Sequence, residues 1–376
     1  FLAAGAFLPF APAFAQGKCL PAGAWVVPGG GRTAGAEVLA RAARAQVVLL
    51  GEIHDNADHH RWQLHTLAAL AGLRPKTVIG FEMFPRRVQA ALDRWVAGEL
   101  GEEEFLKASD WGEVWGYEPA LYLPLFHFAR LNHIRMIALN VEREFVRSVS
   151  SGGLAAVPAE KRENVSNAAP ATPSYVDWLY PVYAEHRKEQ GTPSREDAEF
   201  RRFVESQLVS DRAMAQALAD DARRNPDVLV IGVMGSGHIM HGYGVPRQLR
   251  DLGISRLDTL LPWDAEGNCE DFTAGVATAV FGISASKPPP QRPLLGIRVE
   301  TGTGGVRVTE VRRGSIAEAA GLREGDLLIE AAGRALKAAG DVRAIVVAMA
   351  PGTWLPLKAK RQNETIEILA RFPPKP

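Results

Sequence analysis

Four short apolar runs constrain this chain more than any other feature: QVVLL at 46–50, TVIGF at 77–81, IRMIAL at 134–139 and DVLVIGV at 227–233. Each has the length of a buried strand and is rich in β-branched residues. Stretches of helical periodicity lie between them, at 59–71, 86–97, 120–132 and 199–224; the last repeats Phe200, Phe203, Val204, Gln207, Leu208 and Met214 on one face. The segment 151–194 is rich in proline and tyrosine and reads as helical in part. Strand alternating with helix predicts an α/β fold, a mostly parallel sheet flanked by helices on both faces. In such a sheet the carboxyl ends of the strands share one edge, and ligands bind there.

Each run ends in polar residues. The first leads into Glu52, His54, Asp55, Asn56, Asp58, His59 and His60, the second into Glu82, the third into Asn140, Glu142 and Arg143, and the fourth into Gly235, Gly237, His238, His241 and Tyr243. Four clusters therefore converge on one cleft. Imidazole and carboxylate ligate first-row metals, and Glu52, His54 and His238 form a candidate metal set. A neutral histidine beside a carboxylate is equally a general base, so the same three residues are the candidate catalytic groups of a hydrolase. Gly235 and Gly237 would let the backbone approach a ligand. Blander roles stand beside these. His59, His60 and His65 read as surface or helix-packing residues. Glu82 could pair with Arg143, Asp55 could cap the next helix, and Gln207 and Asp211 fit polar helix positions.

The tract KPPPQRP at 287–293 is a stiff linker that divides the chain. Beyond it the pattern changes to short strands, at 296–299, 306–311, 326–330, 354–358 and 365–372, with helices at 316–320 and 341–349. Gly314 and Ser315 turn into and cap the first helix, Gly321 ends it, Gly325 and Asp326 turn into the next strand, and Asp341 caps the second helix. The segment VRRGSIAEAAGLREGDLLIEAAG at 311–333 closely resembles bacterial PDZ domains. The resemblance covers 294–372 and implies a module that adds an extended peptide as a strand beside its second helix. A peptide or protein carboxyl-terminal tail is the expected partner. Its carboxylate is expected on the loop Leu294, Leu295, Gly296 and Ile297, and its side chains against Ile345 and Val346.

The stretch FLAAGAFLPFAPAFA at 1–15 is apolar, uncharged and too short to span a membrane, and it ends in Ala13-Phe14-Ala15. It reads as the back half of a secretory signal cleaved before Gln16, which predicts an exported, periplasmic protein. Pro9 and Pro12 argue against a buried helix. The two cysteines, Cys19 and Cys269, then suggest one disulfide. A lipid anchor on Cys19 fits less well, because Lys18 stands where a small residue is needed. The expected layout is a signal remnant at 1–15, an α/β domain at 16–285, a linker at 286–293 and the PDZ domain at 294–372. Lys plus Arg equals Asp plus Glu at 43 each, which gives no support to nucleic-acid binding, and no later run is long enough for a transmembrane helix.

Six ordered motifs make the first domain similar to the ChaN family of the ChaN/Tiki/erythromycin-esterase superfamily. They are LLGEIHDNADHH at 49–60, FEMF at 81–84, PLFHFAR at 124–130, LNVERE at 139–144, ESQLVSDRAMA at 205–215 and GSGHIMHGYGVP at 235–246. The resemblance runs over about 19–282. It implies an exported haem-binding protein linked to iron uptake, with iron held by a tyrosinate in a face-to-face homodimer. The cofactor-binding set it suggests is His54, Glu82, Arg143, Tyr183, His238 and Tyr243. Tyr175 and Tyr180 are further candidates, and Tyr183 is preferred because it shares a helix face with His186. No C-x-x-C-H motif is present, so haem would be non-covalent. Other superfamily members are hydrolases, some using a divalent metal. That keeps two alternatives open: a metal-dependent, peptidase-like hydrolase, and a non-catalytic scaffold.

Overall fold

The computed structural model describes residues 20–186, 194–267, 269–270, 272–284, 294–362 and 364–374. The chain divides into two compact units, Phe1–Ser286 and Lys287–Pro376.

The first unit is built on eight strands: β1 (Trp25–Val27), β2 (Gly31–Thr33), β3 (Val47–Leu50), β4 (Thr77–Pro85), β5 (Arg135–Asn140), β6 (Leu229–Val233), β7 (Leu257–Asp264) and β8 (Ala279–Ile283). They form one sheet in the order β2-β1-β8-β7-β3-β6-β4-β5. From β8 to β5 every pairing is parallel; the β1–β2 hairpin adds antiparallel at the β8 edge. The helices are α1 (Gly35–Ala42), α2 (Ala57–Leu73), α3 (Gln89–Val96), α4 (Glu102–Ala108), α5 (Trp111–Val114), α6 (Pro119–Leu131), α7 (Arg143–Gly152), α8 (Pro173–His186), α9 (Ala198–Arg224) and α10 (Val245–Asp251). Side chains alternate across a strand, and β3 shows the result. Val48 and Leu50 pack with Leu67 and Leu70 of α2, whereas Val47 and Leu49 pack with Met214 and Leu218 of α9. Both faces are covered, as a parallel sheet requires.

The four expected strands and the α/β class are present. The sequence reading leaves out β1, β2, β7 and β8. Their signals are weak: β1 and β2 are three residues each, β7 contains Pro262, and β8 contains Gly282. It also ends β4 too early. The strand continues through Glu82 to Pro85, and its register on β5 slips between Phe81 and Pro85. Glu82 is therefore aimed by a strand, not a loop. The cap of α2 is Asn56, whose Oδ1 accepts from Asp58 N–H at 3.0 Å and His59 N–H at 3.3 Å, not Asp55. No helix among the described residues is long and apolar enough to cross a membrane.

The second unit is an antiparallel sheet of β9 (Ile297–Gly302), β10 (Gly305–Val311), β11 (Leu327–Ala331), β12 (Arg334–Ala335), β13 (Trp354–Arg361) and β14 (Glu364–Arg371). Its order is β14-β13-β11-β10-β9, with β12 on β11, so β9 is an end strand. Two helices complete it, α11 (Ile316–Ala319) and α12 (Ala339–Ala348). Ser315 caps α11 through Glu318 N–H at 3.2 Å. Gly321 holds φ +84°, the left-handed turn expected at that helix end. Asp341 acts from inside α12 instead of at its cap position, accepting from Lys337 N–H at 2.8 Å and Ala338 N–H at 2.9 Å.

Candidate functional site

Because β3, β6 and β4 are neighbours, the residues around their carboxyl ends meet. Gly51 makes the meeting possible. A Cβ there would lie 2.3 Å from Leu261 Cδ2 and 2.6 Å from Ser236 Oγ. The loops after β3 and β6 are then joined by Ser236 N–H donating to the Glu52 carbonyl at 2.8 Å.

Two histidine–carboxylate groups result. In the first, buried Glu52 accepts through Oε1 from His54 Nδ1 at 2.6 Å and from the Tyr122 hydroxyl at 3.2 Å. The His60 Nε2 atom stands 3.4 Å from its other oxygen. The His54 side chain is 28% exposed, and its ring lies edge-on to Trp115 at 4.7 Å and 5.2 Å from Tyr117. Among the described residues no hydrogen-bond partner stands at His54 Nε2. Burial opposes a charge on this ring, but the Glu52 hydrogen bond and the Glu82 carboxylate outweigh it and raise the His54 pKa.

The second group is closed. His238 Nδ1 meets Asp211 Oδ1 at 2.7 Å and its Nε2 faces Glu82 Oε1 at 3.4 Å. Asp211 accepts from the Tyr175 hydroxyl at 2.7 Å, and Glu82 accepts from Gly235 N–H at 2.6 Å. Glu82, Asp211 and Tyr175 are all buried. Burial works against a charged His238, yet Glu82 and Asp211 carry its pKa well above the ordinary value. Against the same burial, His238 and His54 drive Glu82 down to about 2. Burial and Asp211 hold the Tyr175 phenol in its neutral form, with its pKa raised.

This geometry sorts the expected residues. Glu52, His54, Glu82 and His238 do converge. His238, however, points both ring nitrogens at carboxylates, so neither is left to bind a metal or take a proton. No three His, Cys, Asp or Glu side chains among the described residues are gathered to hold a metal ion, and the expected Glu52, His54 and His238 metal set is not formed. Glu82 pairs with His238 and not with Arg143, whose Nη2 donates to the Trp115 carbonyl at 3.3 Å. Gly235 is close to His54: a Cβ would lie 2.9 Å from His54 Cε1, whereas one on Gly237 would find only an ordinary contact with Trp178 at 3.5 Å. Tyr183 is buried in the seam of α8 and α9 against Phe200 and Phe203, its hydroxyl 3.5 Å from Glu199 Oε2. Tyr243 stacks on His241 at 5.2 Å and faces Tyr175 at 5.8 Å. Beside the pairs, a cleft of about 280 Å³ lies at the ends of β4 and β5, walled by Glu82, Met83, Trp115, Asn140, Arg143 and Arg147.

Several members escaped the sequence reading. Asp211 and His60 are not bland helix positions but buried partners of His238 and of the Glu52 loop. Trp115, Tyr117 and Tyr122 come from a stretch with two tryptophans and two tyrosines in twelve residues, 111–122, a density that could have drawn attention. His65 is exposed, as expected. The expected Cys19–Cys269 bridge involves Cys19, which lies outside the described residues, as do the stretch 1–15 and the linker 287–293.

In the second unit, Leu294 is 73% exposed and Ile297 opens β9. Leu295, Ile345 and Val346 belong to the buried core, and the Gly296 carbonyl accepts from Arg312 N–H at 2.9 Å. β9 pairs only with β10 among the described residues, so its outer edge can receive another strand.

Comparison with known proteins agrees with both units. The family described as "Haem-binding uptake, Tiki superfamily, ChaN" matches residues 38–249, and the PDZ family matches residues 293–370. A solved structure titled "Cofacial heme binding to ChaN of Campylobacter jejuni" is similar at 20% identity and a TM-score of 0.53, over 68% of this chain and 95% of that one. The PDZ domain of HtrA3 bound to a phage-derived ligand (FGRWV) is similar at 24% identity and a TM-score of 0.19, over 21% of this chain and 82% of that one. A "Probable periplasmic serine endoprotease DegP-like" of Chlamydia trachomatis is 41% identical over 64 residues, which span 17% of this chain and 13% of that protein. With more than half of its residues matched by one family, and the six-stranded unit matched by another, this chain belongs to the ChaN haem-binding family of the Tiki superfamily and carries a PDZ domain.

Proposed function

We propose that this protein is an exported, periplasmic haem binder of iron uptake, whose PDZ domain docks it on the carboxyl-terminal tail of a partner. Family membership supports haem as the ligand. The observation that carries the reading is His54: its Nδ1 is tied to a buried carboxylate and its Nε2 has no hydrogen-bond partner among the described residues. A metal-binding histidine characteristically donates its second nitrogen to a carboxylate, which fixes the ring and strengthens the free nitrogen as a donor. Haem would supply an iron centre; His54 would be the residue to hold it, Trp115 and Tyr117 would stand beside it, and Glu52 would orient His54. A cleft of about 280 Å³ seats only part of a macrocycle. That supports the homodimer, in which a second copy covers the rest. In an oxidising compartment the Cys19–Cys269 disulfide belongs to the same reading.

Titration with hemin tests this. The wild-type chain is expected to shift the Soret band at one hemin per chain, and His54→Ala to lose the shift. No shift in the wild type would overturn the haem reading. The Glu52–His54 pair also suits a general base, which favours hydrolysis as a second reading. Turnover of a peptide or ester that disappears in His54→Ala, with no hemin uptake, would select it.

A further inference from the structure

The first two turns of α2 hold the main chain of the loop that carries Glu52 and His54. Buried Gln63 donates through Nε2 to the carbonyls of Leu50 at 3.2 Å and Gly51 at 3.1 Å. Its Oε1 faces His60 Nδ1 at 3.1 Å. Buried His60 turns Nε2 to the His54 carbonyl at 3.1 Å and packs its ring on Tyr122 at 4.3 Å. His59 accepts Ile53 N–H on Nδ1 at 3.0 Å. Leu50, Gly51, Ile53 and His54 thus each give a main-chain group to α2, and the Glu52 carbonyl goes to Ser236.

The orientation of the Gln63 amide is settled by its neighbours. Turned over, its oxygen would meet two carbonyl oxygens. Its oxygen must therefore face His60, which sets the plane of that ring and aims Nε2 at the His54 carbonyl. The bond from His54 Nδ1 to Glu52 fixes the imidazole only while the peptide between residues 54 and 55, which carries the His54 carbonyl, cannot rotate; the Tyr122 hydroxyl, 3.3 Å from that carbonyl, is its second support. Rotation there would change the backbone angle at His54 and with it the direction of the ring.

We propose that His60 and Gln63 are positioning residues: they hold the peptide that carries the His54 carbonyl so that the His54 ring, with its free Nε2, keeps its direction, and ligand capture depends on them although both are buried behind the loop. The proposal rests on the haem reading only for its ligand readout. The alternative is that both residues merely fill the core.

Three substitutions in the full chain separate these. His60→Gln restores a donor at the Nε2 position, His60→Asn reaches only the Nδ1 position, and His60→Ala reaches neither. Each is measured by the 1H–15N correlations of the His54 ring without ligand, by hemin titration with absorption spectra, and by thermal midpoint. His60→Ala and His60→Asn are expected to move the His54 ring signals and weaken hemin binding roughly 10-fold to 100-fold, as loss of an outer support does. His60→Gln is expected to recover both, even where its midpoint stays low. Unchanged ring signals and hemin spectra in a folded His60→Ala, or equal losses in the Gln and Ala variants, overturn the proposal. Should His60→Ala not fold, Gln63→Met, which keeps the volume, is read in the same way. A wild type that binds no hemin removes the haem reading alone, and the ring signals then decide the positioning role.

Discussion

The two histidine–carboxylate groups at the sheet edge use the same residue types for opposite ends. His238 is held between Glu82 and Asp211, and both of its nitrogens are committed. His54 leans on Glu52 with one nitrogen, and its other nitrogen has no hydrogen-bond partner among the described residues. A closed pair is a structural charge, costly to build and costlier to break. An open pair leaves one nitrogen without a protein partner. Residue type therefore does not identify a working histidine; the number of its nitrogens already occupied does.

Substitutions that remove one partner at a time test this contrast. Asp211→Ala should have the largest effect, because it strands His238 and Tyr175 together. A loss of about 3–5 kcal/mol is expected in urea unfolding. Next is the pH dependence. Stability linked to Glu82 is present above its unfolded value of 4.5 and is lost as pH falls towards about 2. Stability linked to His238 is full below its unfolded value of 6.5 and is lost only as pH rises through its raised folded value. The pair thus contributes fully between pH 4.5 and 6.5, and unfolding of Glu82→Gln at a series of pH values should show a flattened acid limb. Tyr175→Phe removes one hydrogen bond to a carboxylate, for about 1.5–3 kcal/mol in the same assay. His54→Ala should cost less than Asp211→Ala while abolishing the hemin shift, since its ring is partly exposed and Glu52 keeps the Tyr122 hydroxyl. If it destabilises as much as Asp211→Ala, the contrast fails. Smallest in reach is Ser315→Ala, a lost helix cap worth about 1 kcal/mol. Its cost should appear only in unfolding of the PDZ unit and leave hemin affinity unchanged.

The contrast was only half legible in the sequence. Glu52 and His54 stand two apart after a clear strand, and His238 follows another, so their convergence follows from the parallel sheet. The partners do not follow. Asp211 is one polar residue in a 27-residue helix, and nothing local says that it is buried beneath the His238 loop. His60 and Gln63 read as ordinary positions on α2 until their donors are seen to meet the carbonyls at the end of β3. The surroundings of the tyrosines do not follow either. Tyr175 and Tyr183 share a helix with a loop-facing tryptophan, yet their hydroxyls go to Asp211 and Glu199, while the ring contacts of His54 come from the segment just before α6.

A parallel α/β unit and a PDZ unit, polar residues at the end of each strong strand, and a likeness of the α/β unit to a haem-binding family can all be read along the chain. Those are consequences of periodicity, turn chemistry and ordered motifs, all local in the chain. Which histidine is open can be read only from the folded chain. That depends on hydrogen bonds between residues 27 and 153 positions apart, from His238 to Asp211 and from Gly235 to Glu82, and no local pattern encodes them.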